Sequence, residues 1–257
     1  MTTVLCLDTE TGGTNVYEDR IVTIFLGLMS DDPDRPGSPS NFAEDDGLPL
    51  FQRSYYGLIN PGVEIPQAAI NVHGITNEYA KSHGAHPSRV LEQVYGVLYT
   101  EAIENRIPVV AYNAPFDLTL LRAEFARHLP ELPPFPFERL TIIDPLVIDK
   151  ELYRYRKGTG AHQLVRAAPA YSVPVDLDKA HDASYDCLLA GRIALRQIDG
   201  TNPAHARSTF SPKSLHLKQE QWKAEQNKGL AQWSLKNRKG YEVQLGWPLY
   251  SGEVIQA

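Results

Sequence analysis

Cysteine is scarce: Cys6 and Cys187 are the only two in 257 residues, too few for the disulfide framework of a small secreted domain or a cysteine-rich zinc site. Both fall beside apolar positions of an expected strand and an expected helix, so buried free thiols are the expectation rather than a disulfide or a metal pair. Long apolar runs are missing as well. No stretch approaches the roughly 20 residues that span a bilayer, and MTTVLCLDTE offers no basic leader and only a short apolar run before Asp8, which does not fit a signal peptide. A cytoplasmic protein with no membrane partner is expected. The chain also lacks an internal repeat and a serine nucleophile elbow, and Gly12-Gly13 is too short for a phosphate-cradling loop with its lysine.

Positive charge is not in excess either. The formal charge is −6, whereas nucleic-acid binders usually show a basic surface. The objection is weak, because a site that holds divalent cations with carboxylates must itself be acidic, and the cations reverse its sign for an arriving phosphate. The basic residues are also uneven: Arg207, Lys213, Lys218, Lys223, Lys228, Lys236, Arg238 and Lys239 follow one another with only Glu220 and Glu225 among them.

What is present is the composition of a globular protein, 42% hydrophobic and 22% charged, long enough for one large domain or one ordinary domain with an appendage. Val4 to Leu7, Ile21 to Met29 and Phe51 to Ile59 read as strands of an antiparallel opening meander. The Pro-, Asp-, Ser- and Gly-rich residues between Ser30 and Gly47 read as a mobile hairpin loop. Helical spacing follows over Pro66 to His73 and Arg89 to Ile103, the second with a stripe of Val90, Leu91, Val94, Val97 and Leu98. Pro108 to Tyr112 is an expected strand that leads into a helix with Asn113 as cap and Pro115 in its first turn. Leu140 to Asp144 is a fifth strand, stopped by Pro145. A short helix is expected near His162 to Ala167, and a stronger one over Ala183 to Arg196. This order makes an α/β class with a central mixed sheet flanked by helices.

Asp8 and Glu10 stand two apart at a strand end, so both carboxylates face the same way and can share a metal. Taken alone, the pair is equally a polar strand end. Asp117 lies in a first helical turn, where the dipole favours an acid, capping acids included. His181 and Asp186 are five steps apart, about 500° of helical rotation, so they cannot share a helical face. His181 therefore belongs at or before the helix start, and Asp182 beside it reads as a helix cap.

The order of DTETGG, NAPFD and HDASYD changes the weight of these fragments. Together they resemble the three motifs of the DEDD superfamily of 3′→5′ exonucleases, in the histidine branch (DEDDh) that includes the proofreading epsilon subunit of bacterial DNA polymerase III. The likeness covers about residues 1 to 200 and includes PGVEIPQAAINVHGIT. It implies an RNase H-like fold, an exonuclease domain over 1–200 and a helical C-terminal extension over 201–257. It implies that Asp8, Glu10, Asp117 and Asp186 bind two divalent cations, Mg²⁺ or Mn²⁺, with Asp8 bridging, and that His181 is the general base. Thr11 and Gly12 would border the 3′-terminal nucleotide, and Phe116 and His73 would line its base or sugar pocket, with a local helix-end hydrogen bond as the other reading of His73. Two metals suit phosphodiester hydrolysis because together they generate the nucleophile and neutralise the leaving oxygen; such cations prefer hard oxygen ligands, and a histidine titrating near neutrality can take the proton. A haloacid-dehalogenase-like phosphatase would want aspartate where Glu10 stands.

The implied substrate is single-stranded or frayed DNA, released as nucleoside 5′-monophosphates. An RNA-trimming exoribonuclease is one alternative. A module associated with a replicative polymerase or with nucleic acid, catalysis being secondary, is the other. In the tail, Lys213 to Asn237 reads as a polar helix, with Gly229 as a plausible break. Trp222 and Trp233 either dock that helix on the core, the favoured reading, or stack on single-stranded bases. Trp247 is expected to anchor the tail.

Overall fold

The computed structural model of the protein describes residues 2–31, 48–199 and 210–256. The loop expected between Ser30 and Gly47 and the domain boundary expected at residues 200 and 201 fall largely outside them.

Strand β1 (Thr3–Thr11) is the centre of a five-stranded sheet. It pairs antiparallel with β2 (Ile21–Ser30), which pairs antiparallel with β3 (Phe51–Leu58). The chain then forms α1 (Gln67–His73), α2 (Asn77–His83) and α3 (Pro87–Leu98), the last continued by a π-helical stretch, Tyr99–Glu104. On the other side of β1 come β4 (Val109–Val110), α4 (Ala114–His128), β5 (Ile142–Ile143), α5 (Pro145–Leu152) and α6 (Leu164–Ala167). Both β4 and β5 run parallel to β1, giving the order β3-β2-β1-β4-β5. Helices α7 (Ala183–Ile198) and α8 (Pro212–Asn237) follow, then a small hairpin of β6 (Glu242–Gln244) and β7 (Val254–Gln256). The expected mixed sheet flanked by helices is there. Helices α2 and α5 and the β6–β7 hairpin were not expected, Pro145 opening a helix as well as ending the strand before it, and β4 and β5 are shorter than the apolar runs around them.

The period of two along β1 divides the core. Leu5 and Leu7 face one cluster with Leu91, Val94, Leu118 and Leu121 of α3 and α4. Val4 and Cys6 face another, with Cys187, Ala190 and Ala194 of α7. Small residues let α7 lie close to the strands: a Cβ built on Gly191 would sit 2.5 Å from the Cys6 sulfur and 3.0 Å from Met29. Any larger residue there lifts the helix or forces repacking, which costs about 1–3 kcal/mol. The close approach also fixes how near the start of α7 comes to the end of β1. Both cysteines are free and buried, as expected.

Helix α8 runs beside β5 and covers that edge of the sheet. His216 Nδ1 accepts from the Ile142 N–H at 3.0 Å, Gln219 Oε1 accepts from the Asp144 N–H at 2.6 Å, and Gln219 Nε2 donates to the Ile142 carbonyl at 3.1 Å. These side chains pair backbone groups that an open edge strand leaves exposed. Gly229 does not break α8, which is continuous. The roughly 1 kcal/mol cost of an interior glycine is offset by anchors on either side, where Asn227 donates to the Gln244 carbonyl and Ser234 accepts from the Tyr241 N–H. Trp222 packs on the α7 cluster, and Trp247 packs on the other core with its ring 4.9 Å from His216. Trp233 does not dock; it is exposed. No helix among the described residues is long and apolar enough to cross a membrane.

Candidate metal centre

Two helices bring an acid to the end of β1 in the same way. Asp117 and Asp186 are each the fourth residue of their helix, α4 and α7, where the amino-terminal dipole favours a carboxylate. Each helix is also approached through a non-glycine residue in the left-handed region, Asn113 at φ 71 and His181 at φ 66. Such conformations cost energy and persist where surrounding contacts impose them.

At Asn113 the imposing contact is visible, and it corrects the expected cap. Asn113 stands at the cap position, but its side chain makes no capping bond. Instead the buried Asp144 carboxylate accepts from the N–H groups of Asn113 and Ala114, both at 3.0 Å, and from Leu146 N–H at 3.0 Å. One acid thus holds the starts of α4 and α5. At α7, Asp182 caps as expected, its Oδ1 accepting from Ser184 N–H at 2.9 Å and Tyr185 N–H at 3.0 Å. His181 precedes that cap and is exposed.

Asp8 and Glu10 share the α7 face of β1, and Asp186 meets them there: an oxygen of each lies within 4.8 Å of the other two. Asp117 is outside this trio. It comes from the α4 face, is 4% exposed, and is held by Thr9, whose hydroxyl donates to Asp117 Oδ1 at 2.6 Å. The sheet end therefore separates three clustered acids from a fourth reached through the residue between Asp8 and Glu10.

The carboxylates are held against their own charge. Burial, then the charges of Asp117, Asp186, Glu10 and Asp182, push Asp8 well above the usual range. Glu10 is pushed up to about 8 by burial and by Asp186, Asp117 and Asp182. Burial raises Asp117 to about 7 against the Thr9 hydrogen bond, and Asp186 to about 6 against the pull of His181. Asp186 Oδ1 is buried with no hydrogen-bond partner. A buried lone pair without a donor, among acids that raise one another's pKa, is the demand a divalent cation meets. The residues fit such an ion.

The remaining expected residues surround this end of β1. Thr11 Oγ1 donates to the Gly13 carbonyl at 2.6 Å, and Gly12 N–H to the Arg20 carbonyl at 3.0 Å. His73 ends α1 with the local bond offered as its alternative, Nδ1 accepting from Ile75 N–H at 3.1 Å, while its Nε2 is buried. Burial lowers its pKa, opposed by the Thr11 backbone. Phe116 is half-buried against the core. Sequence reasoning missed Thr9, Asp144 and Tyr250. Tyr250 is carried by the tail: its N–H donates to Thr119 Oγ1 at 2.9 Å, and burial and the charges of Asp144 and Asp117 push its hydroxyl up to about 12. Only Thr9, inside the DTE motif, carried a positional signal.

Known proteins are similar to this chain. The RNase T exonuclease family model matches residues 52–194, taking in Asp117, His181 and Asp186. A PolC-type DNA polymerase III of Streptococcus mutans is 30% identical over 138 residues, 53% of this chain and 8% of that protein. The DNA polymerase III epsilon subunit of Buchnera aphidicola is 26% identical over 174 residues, 68% of this chain and 66% of the relative. Among solved structures, E. coli exonuclease I in complex with a dT13 oligonucleotide matches with TM-score 0.57 at 18% identity, covering 79% of this chain and 42% of that one, which bears on fold alone. The chain spans less than a tenth of the PolC-type relative and under half of exonuclease I.

Proposed function

The chain belongs to the RNase T exonuclease family, of the DEDD type, and from that premise we propose that it is a metal-dependent 3′→5′ exonuclease that shortens single-stranded or frayed DNA and releases nucleoside 5′-monophosphates. The observation that carries this reading is the trio of Asp8, Glu10 and Asp186, one of which keeps a buried oxygen without a partner. Asp8, Glu10 and Asp186 would hold divalent cations, Mg²⁺ or Mn²⁺, with Asp117 completing the set from the opposite face. When bound, two such ions supply Lewis acidity toward the phosphate and acidify the attacking water.

The chain's own groups do the rest. His181, exposed before α7 and free of the helix face, accepts the proton of the attacking water. Thr11, Gly12, His73 and Phe116 border the terminal nucleotide. The raised carboxylates must lose protons before they bind a cation, so cation affinity rises with pH. DNA is preferred over RNA because the sequence relatives are named for DNA polymerase III and the fold's relative is described with a DNA oligonucleotide. The same names support an association with a replicative polymerase.

Matched 5′-labelled DNA and RNA oligonucleotides, digested with Mg²⁺, Mn²⁺ or EDTA, test the proposal. A ladder shortening from the 3′ end, faster on DNA, lost in EDTA and lost in Asp186→Asn, is expected. Faster RNA digestion would reassign the substrate. No shortening of either under any cation would end the reading.

A further inference from the structure

We propose that the far end of α8 is a second nucleic-acid contact, in which Trp233 and Tyr241 stack on bases of a single strand while Lys236, Arg238 and Lys239 hold its phosphates. The inference rests on the reading above that the substrate is single-stranded nucleic acid.

The two tryptophans of α8 have different fates. Trp222 is half-buried in the core, whereas Trp233 is 46% exposed and so is Tyr241. The two rings lie 6.0 Å apart at 22°, nearly parallel. The chain is built to keep them so: it leaves the helix through Arg238 in the left-handed conformation, and Tyr241 N–H donates to Ser234 Oγ at 3.0 Å, folding the tyrosine back over the last turn. A pair of large rings held parallel with open outer faces is a stacking surface for a base, and such stacking tolerates any sequence.

The charge around the rings has one sign. Between Gln226 and Tyr241 there is no aspartate or glutamate, while Lys236, Arg238 and Lys239 occur there and are exposed. None of the three forms an ion pair among the described residues. The next acid, Glu242, accepts from Gln256 Nε2 at 2.7 Å. In a protein of charge −6, a face of unpaired cations beside exposed rings complements a polyanion with π faces, and that is a single strand.

Its position suits the same strand. Contacts of His216 with Ile142 and of Gln219 with Asp144 show α8 rising in the direction of β5, toward the carboxyl-end edge of the sheet where the acids lie. Trp233 is fourteen residues beyond Gln219, about 21 Å further along at 1.5 Å per residue. At roughly 3.4 Å per nucleotide, that rise alone corresponds to about six nucleotides. A very short oligonucleotide cannot touch both.

The test is binding of fluorescein-labelled dT20 and dT4 to the full chain, read by anisotropy in EDTA so that hydrolysis plays no part. Trp233→Ala should weaken dT20 binding about ten-fold, the order of one lost base stack, leave dT4 unchanged, and be largely rescued by Trp233→Phe. The triple variant K236Q/R238Q/K239Q should reduce the slope of log affinity against log salt by about 2, from three lost phosphate contacts at roughly 0.7 each. Wild-type dT20 affinity and salt slope in both variants would overturn the proposal and leave the face to a protein partner. Failure of wild type to bind dT20 would overturn it too. The assay does not read cleavage: if no oligonucleotide is hydrolysed yet these variants lose dT20 affinity, the exonuclease reading falls and the platform stands.

Discussion

Two groups of charged side chains in this molecule, one centred on a fully buried acid and one half-buried, use the same chemistry to opposite ends. Asp149 is fully buried, and its oxygens accept from Arg156 at 3.0 and 2.8 Å, from the Tyr171 hydroxyl at 3.0 Å and pair with His162 Nδ1 at 2.5 Å. Every demand the burial creates is met by a donor. Asp8, Glu10 and Asp186 are half-buried, the charges that bear on Asp8 are those of Asp117, Asp186, Glu10 and Asp182, all negative, and Asp186 Oδ1 has no partner. A buried acid is therefore no sign of function. A cluster of acids that keeps a buried oxygen unmet, as at the end of β1, is the better sign.

The contrast breaks first at Asp8. Asp8→Asn and Asp186→Asn should each lower hydrolysis about 10³-fold or more, several kcal/mol of lost charge stabilisation, while stabilising the cation-free protein. The sign follows from the raised pKa values. Between the ordinary carboxylate range and about 8, the folded chain holds more protons than the unfolded one, so stability in EDTA falls as pH rises through that window. Asp8→Asn should flatten this fall, with a higher Tm than wild type at pH 8, and should remove the Tm gain that Mg²⁺ gives wild type. Parallel Tm profiles for the two proteins would show that the acids do not repel one another.

Asp149→Ala should do the reverse. It leaves Arg156 uncompensated in the interior, which costs about 3–5 kcal/mol of stability, read as a shift in urea midpoint. Turnover per folded molecule should be unchanged; a loss comparable with Asp8→Asn would erase the distinction between the two groups. Next in size, His181→Ala should slow turnover about 10²-fold while the Mg²⁺-induced Tm gain survives, since no clustered acid depends on the ring for its position.

Much of this contrast was legible in the chain because it is written in short periods. Two residues along a strand put Asp8 and Glu10 on one face, and the start of an amphipathic helix placed Asp186 ahead of its apolar stripe and His181 before it. The rest depends on partners distant in sequence. Asp144 caps α4 from beyond that helix's far end, so the NAPFD segment alone misattributes the cap to Asn113. Gly191 looks like a weak spot in a helix until Cys6 and Met29 are seen beneath it. The buried side of α8 includes Gln219, Asn227 and Ser234, which no hydrophobic pattern marks, because that side satisfies backbone at a sheet edge as well as filling the core. For the same reason the fates of Trp222 and Trp233 could not be told apart.

The finest prediction concerns Thr9, which joins the two faces of β1. Its hydroxyl donates to Asp117 at 2.6 Å and favours the charged form, yet burial still lifts that acid to about 7. Thr9→Val keeps the shape and removes the donor, so the carboxyl should titrate higher and be more protonated at neutral pH. If ionised Asp117 completes the cation site, turnover at pH 7 should drop about ten-fold, about 1.4 kcal/mol and within the worth of a hydrogen bond to a charged group. Raising the pH should recover it, as should saturating Mg²⁺, and Thr9→Ser should be close to wild type. A drop that ignores both pH and cation concentration would mean that Thr9 serves only to pack the strand end, and that Asp117 belongs with Asp149 among the acids whose role is structural.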